Sequence, residues 1–145
     1  MNDFERRVRA HVIRALRDTS AAPSCGDIAS ALNSTPDVVR AALHALADEH
    51  RVVLHPGTDS VWMAHPFSAV PTDFAVSAGG RSWWANCVWD GLSILGVVGD
   101  GWLETHSPQS GASIRLTVER GRVIGHAIVH FLVPARRLWE DIAFT

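Results

Sequence analysis

"RSWWANCVWDGLSIL", Arg81–Leu95, is the stretch on which the fold turns. Three tryptophans, a cysteine and an aspartate stand in an otherwise apolar run. Gly79-Gly80 supplies a turn and Ser82 a cap, so the spacing predicts a helix from Ser82 to Leu95. On that helix Trp83, Cys87, Asp90 and Ile94 share one face. Trp84, Val88, Leu92 and Leu95 share another. A helix that is apolar nearly all round is buried, so Asp90 is expected inside or at the floor of a pocket.

An ionised carboxylate without a partner is costly to bury. The chain must supply a partner or keep the acid protonated, and low dielectric favours the protonated form. Cys87 and Asp90 stand three positions apart and are neighbours on a helix surface. A thiol beside a carboxyl suits soft-metal binding and proton transfer. The plainer alternative is an aspartate bonded to backbone groups and a cysteine filling space. Trp83 and Trp89 flank the thiol as pocket walls, or serve as core.

Outward to the N-terminus, "DFERRVRAHVIRALRDT" sets Phe4, Val8, Val12, Ile13 and Leu16 on one helical stripe. "CGDIASALN" predicts a short helix with Ile28, Ala29 and Leu32 inward. "STPDVVRAALHALADEH" opens with Ser34 or Thr35 as cap, Pro36 in the first turn and Asp37 against the dipole. Its stripe is Val38, Val39, Ala42, Leu43 and Leu46. "RVVLH", "PGTDS" and "VWMAH" then read as strand, turn and strand. Three helices and a hairpin give a winged-helix-like module over residues 1–65.

Such modules often bind DNA, so charge decides. Residues 1–65 hold seven arginines and eight acidic residues. DNA affinity comes from neutralising phosphates, and this module has no net positive charge to do so. A module that packs on the second half is favoured, and DNA is not an expected partner.

Residues 66–145 read as a small β-sheet domain with one buried helix, making the whole chain α+β. A short strand is expected near Thr72–Val76, and others in "GWLETHS" and "SIRLTVERGRV", the last ending in a turn at Arg120–Gly121. "IGHAIVHFLV" should pair back as a hairpin strand. "PARRLWEDIAFT" should open a helix after Pro134.

The 145 residues are 47% hydrophobic and 19% charged, with a net charge of −2, which predicts a packed core and argues against disorder. No apolar run reaches the roughly 20 residues of a membrane span, and "MNDFERRVRAHVIRAL" lacks the pattern of a signal peptide. A cytoplasmic protein with two free thiols, Cys25 and Cys87, is expected. Two cysteines cannot build a paired-cysteine zinc site. His126 and His130 lie four apart in a strand-like stretch, about 13 Å, too far for one metal. "GVVGDG", Gly96–Gly101, lacks the lysine and hydroxyl of a phosphate loop.

"WWANCVWDGLSIL", "THSPQSGASIRLTV" and "HAIVHFLVPARRLWEDIAFT" together resemble the organomercurial (alkylmercury) lyases over about residues 70–145. That family also carries a helical N-terminal region of the winged-helix type. The resemblance implies Cys87 as the mercury-binding thiolate and Asp90 as the proton carrier. It implies cleavage of a carbon–mercury bond by protonolysis, with no resident cofactor, since mercury arrives with the substrate. Ser107 stands near a place where the family often has a further cysteine, and it joins Trp83 and Trp89 as a candidate pocket residue. The family's second catalytic cysteine falls in or just after the segment matching "DIAFT"; Thr145 stands there, or the cysteine lies beyond it. The implied partners are a small organometallic or thiol-reactive ligand and small-molecule thiols. Two other readings remain at this point. One is a noncatalytic soft-metal or thiol-reactive ligand binder using Cys87. The other is a winged-helix regulator with a sensor domain.

Overall fold

The structure is a computed structural model, described for residues 1–131 and 133–142. It is α+β: four α-helices and one eight-stranded antiparallel sheet. The first helix, α1 (Asp3–Thr19), begins at a capping box. Asn2 Oδ1 accepts the Glu5 N–H at 2.9 Å, and Glu5 accepts the Asn2 N–H at 2.6 Å. Ser24 and Asp27 repeat the device at α2 (Cys25–Leu32). Thr35 caps α3 (Pro36–Asp48), with Pro36 in its first turn. Val8, Val12 and Leu16 of α1 and Val39, Ala42, Leu43 and Leu46 of α3 are buried, as their stripes predict. Val38 departs from its expected place and is half exposed. The neighbouring Val39 takes the inward position.

The strands follow as β1 (Val53–Leu54), β2 (Val61–Ala64), β3 (Phe67–Ser68), β4 (Ala75–Ala78) and β5 (Arg81–Ala85). After α4 (Val88–Val98) come β6 (Gly101–His106), β7 (Ser113–Glu119) and β8 (Arg122–Ile124). Their spatial order is β1-β2-β3-β5-β4-β6-β7-β8. The hairpin of the first half is thus the beginning of one sheet that runs on through the second, with β2 paired to β3. One hydrophobic cluster spans both halves, from Val8 to Val118. Among the described residues no helix is long and apolar enough to cross a membrane.

The expected helix from Ser82 to Leu95 is corrected: its first part is strand and its second part helix. Gly79 (φ 56°) and Gly80 (φ 76°) form a two-residue turn with both residues left-handed, which folds Arg81–Ala85 back onto β4. Trp83 and Ala85 point into the core with the period of two that a strand imposes. A short apolar run fits either period, and here the turn before it selects the strand.

The C-terminal expectations also change. Strand β8 is three residues long, and residues 125–131 are neither strand nor helix. The segment after Pro134 is a 3-10 helix, Ala135–Glu140. The expectations for Leu132 and 143–145 lie outside the described residues.

Candidate active site

The site forms where β5 hands over to α4. Cys87 is the N-cap of α4, with extended backbone angles (φ −156°, ψ 179°). Its sulfur accepts the Asp90 N–H at 3.5 Å, in the manner of a capping side chain. Asp90 is the third residue of the helix, so the expected adjacency of thiol and carboxyl arises from a cap and not from a helix face. Gly91 fixes this first turn against the sheet. A Cβ there would lie 2.7 Å from Leu103 Cδ1 of β6.

The Asp90 carboxyl is largely buried and has side-chain partners. Oδ2 lies 3.1 Å from His65 Nδ1 and accepts Asn86 Nδ2 at 3.0 Å. With Asp90 ionised, His65 Nδ1 carries the hydrogen and donates. Of the two outcomes posed by the sequence, the chain thus supplies a partner. His65 follows directly after β2, so the first half of the chain reaches into this site. Its ring stands edge-on to Trp139, with centroids 5.8 Å apart, and Trp139 in turn stacks on His50 at 4.2 Å.

Asn86 is held at a cost. Its Oδ1 is buried and accepts no hydrogen bond among the described residues. An unsatisfied buried acceptor costs about 1–3 kcal/mol. Turning the amide over would set that oxygen against Asp90 Oδ2, acceptor to acceptor. The carboxyl therefore fixes the amide.

Burial pushes the Cys87 thiol above its usual range, and the Asp90 charge and a side-chain hydrogen bond with Asp90 add to the rise. Backbone N–H groups of Asp90 and Trp89 oppose it, favouring the thiolate. The thiol is therefore mostly protonated at neutral pH.

Other candidates sit as follows. Trp83 is buried in β5, and its indole N–H donates to the Arg17 carbonyl at 2.8 Å, at the end of α1. Trp89 is 54% exposed on the first turn of α4. Ser107 bonds within its own turn, its hydroxyl oxygen accepting the Ser110 N–H at 3.3 Å. Cys25 is a free thiol against the Asp59 carbonyl, in the helical module. His126 and His130 are exposed. Among the described residues no three His, Cys, Asp or Glu side chains gather to hold a metal ion. Sequence reasoning missed His65 and Asn86. The first is 25 positions from its carboxyl and carries no periodic signal. The second stands next to Cys87, where a break between strand and helix could have marked it.

No curated protein matches the chain. Among solved structures, the mercury-bound form of MerB2 superposes with a TM-score of 0.71 at 19% identity, over 86% of this chain. This chain spans 60% of that one's length. The likeness is one of fold. The alkylmercury lyase (MerB) family model matches residues 67–145, which include Asn86, Cys87 and Asp90. Since that match covers more than half of the sequence, the chain belongs to the alkylmercury lyase family.

Proposed function

We propose that this protein cleaves carbon–mercury bonds by protonolysis, with Cys87 as the mercury-binding sulfur and Asp90 as the proton carrier. The observation that supports it best is the half-buried Cys87 sulfur accepting the Asp90 N–H at the start of α4, beside a carboxyl that His65 and Asn86 hold. Mercury is a soft ion, so thiolate ligation is what its chemistry requires. As an organomercury cation meets Cys87, a sulfur–mercury bond forms and the thiol proton passes to the Asp90 carboxylate. Asp90 then gives that proton to the carbon. The carbon–mercury bond breaks, and its electron pair forms the new C–H bond. The hydrocarbon leaves, mercury stays on sulfur, and Asp90 is again a carboxylate. Small-molecule thiols then take the mercury from Cys87, which suits a reducing, cytoplasmic setting. A second protein sulfur, from a cysteine beyond Thr145, would serve the same exchange.

The N-terminal residues 1–65 fold as three helices followed by β1 and β2. We read them as a module that packs on residues 66–145 and not as a DNA reader, because their acidic residues outnumber their arginines.

The test is release of methane from methylmercury, or benzene from phenylmercury, with excess small thiol. Asp90→Asn keeps the shape and removes the proton transfer. It should retain mercury binding and lose cleavage by about 10²-fold or more, as for a lost general acid. Cleavage at the parent rate would reduce Asp90 to a structural acid. A second reading is a noncatalytic soft-metal binder that holds the ion through Cys87, Cys25 lying in the helical module against the Asp59 carbonyl. A parent protein that binds mercury and releases no hydrocarbon would select it.

A further inference from the structure

We propose that His65 and Asn86 are positioning residues that hold one oxygen of Asp90, so that the proton travels on the other. The inference rests on the protonolysis reading above. Two donors converge on Oδ2, His65 Nδ1 at 3.1 Å and Asn86 Nδ2 at 3.0 Å, while Oδ1 takes part in neither bond. An oxygen that accepts two hydrogen bonds has its lone pairs engaged and is the poorer place for a further proton. A proton taken from the Cys87 thiol therefore sits on Oδ1. The same two bonds fix the carboxyl plane, because Asn86 reaches it from the end of β5 and His65 from beyond β2, on separate segments of the sheet.

The buried, unpartnered Asn86 Oδ1 supports this assignment. An amide free to choose would turn to satisfy itself. This one is kept with its N–H on the carboxyl. Trp139 against the His65 ring limits the freedom of the imidazole in turn. The first 65 residues thereby contribute a side chain to the reaction centre.

General acid catalysis depends on reach and direction, and a small misplacement of a reacting group is expensive in rate. The effect should fall on kcat, with binding through Cys87 untouched. His65→Leu keeps apolar bulk beside Trp139 and removes the donor. His65→Asn shortens the side chain and returns an N–H near the position of Nδ1. We expect His65→Leu to lower kcat for hydrocarbon release about tenfold or more at unchanged KM, and His65→Asn to restore most of it. A residue that only fills space would show the opposite order. Asn86→Ala should lower kcat in the same way. The His65→Leu, Asn86→Ala double variant should fall less than the product of the two, since both act on one oxygen. Mercuric chloride titration, read by ultraviolet absorbance of the mercury–sulfur bond, should be unchanged in all of them.

Asp90→Asn separates the two ideas. If it cleaves as fast as the parent, or the parent releases no hydrocarbon, the protonolysis reading falls and this inference with it. If Asp90→Asn is inactive while His65→Leu and Asn86→Ala retain the parent kcat, protonolysis stands and the positioning role is overturned. Should His65→Leu fail to fold in a thermal melt, Asn86→Ala decides alone: a parent-like kcat overturns the role, and a loss confined to kcat supports it.

Discussion

The proposed reaction needs Cys87 as a thiolate, and much of its surroundings opposes that form. Burial raises the thiol most, the Asp90 N–H at the start of α4 pulls the other way, and the Asp90 carboxylate raises it further. Alkylation by neutral iodoacetamide should thus be slow at neutral pH and should climb as pH passes the ordinary thiol range. Asp90→Asn removes the carboxylate charge and keeps the cap, so at fixed pH it should speed alkylation. An unchanged rate would mean that the carboxyl does not act on the sulfur. Cys25 is raised too, chiefly by burial and then by Asp59, but no carboxyl side chain is bonded to its sulfur among the described residues. Cys25→Ser should therefore keep mercury affinity and Cys87→Ser should lose most of it. Titration of the two variants with mercuric chloride checks this, and the reverse result would move the site.

At the scale of elements, the junction of β5 and α4 holds the site because two glycines let the helix lie on the sheet. A Cβ at Gly101 would fall inside contact distance of the Ser77 carbonyl oxygen, which belongs to β4. At Gly91 it would meet Leu103, a side chain that can shift. Gly101→Ala should therefore destabilise more than Gly91→Ala, for which overpacking suggests about 1–3 kcal/mol. Thermal melting of both variants tests the order, and equal losses would contradict it. The helices of the first half were legible in the sequence because their stripes and caps agree. Arg81–Leu95 was not, because a short, mostly apolar run fits either period. The strand in it is decided by the pairing that Gly79-Gly80 imposes on β4. The Cys87/Asp90 contact was legible from spacing three, although a cap makes it and not a helix face. His65 was illegible: its role is set by chain reversal between β2 and α4, and nothing local marks it. Residues 125–131 failed differently. Ile128, Val129 and Phe131 suit a strand by residue type, but β8 ends at Ile124 and Gly125 follows with φ 131°.

At the scale of the whole molecule, the two halves share a sheet, a core and polar bonds. Residues 66–145 alone would keep β3 to β8 but lose β1 and β2, leaving β3, two residues long, as an edge. They would also lose Val8, Val12, Leu16 and Leu46, all buried in the common cluster that includes Phe67 and Trp83. The Trp83 indole would lose the Arg17 carbonyl, and the Ser82 carbonyl would lose the hydroxyl of Ser20. Uncovered apolar surface beside an unpaired strand edge also invites association between chains. The fragment 66–145 should thus aggregate or melt without cooperativity, and without His65 any soluble part should cleave organomercurials at least about tenfold more slowly than the whole chain. Calorimetry and size-exclusion chromatography on the purified fragment test the packing claim. A monomer with a sharp melt would show that the second half folds on its own, and the first would then be an attachment to the sheet and not a part of its core.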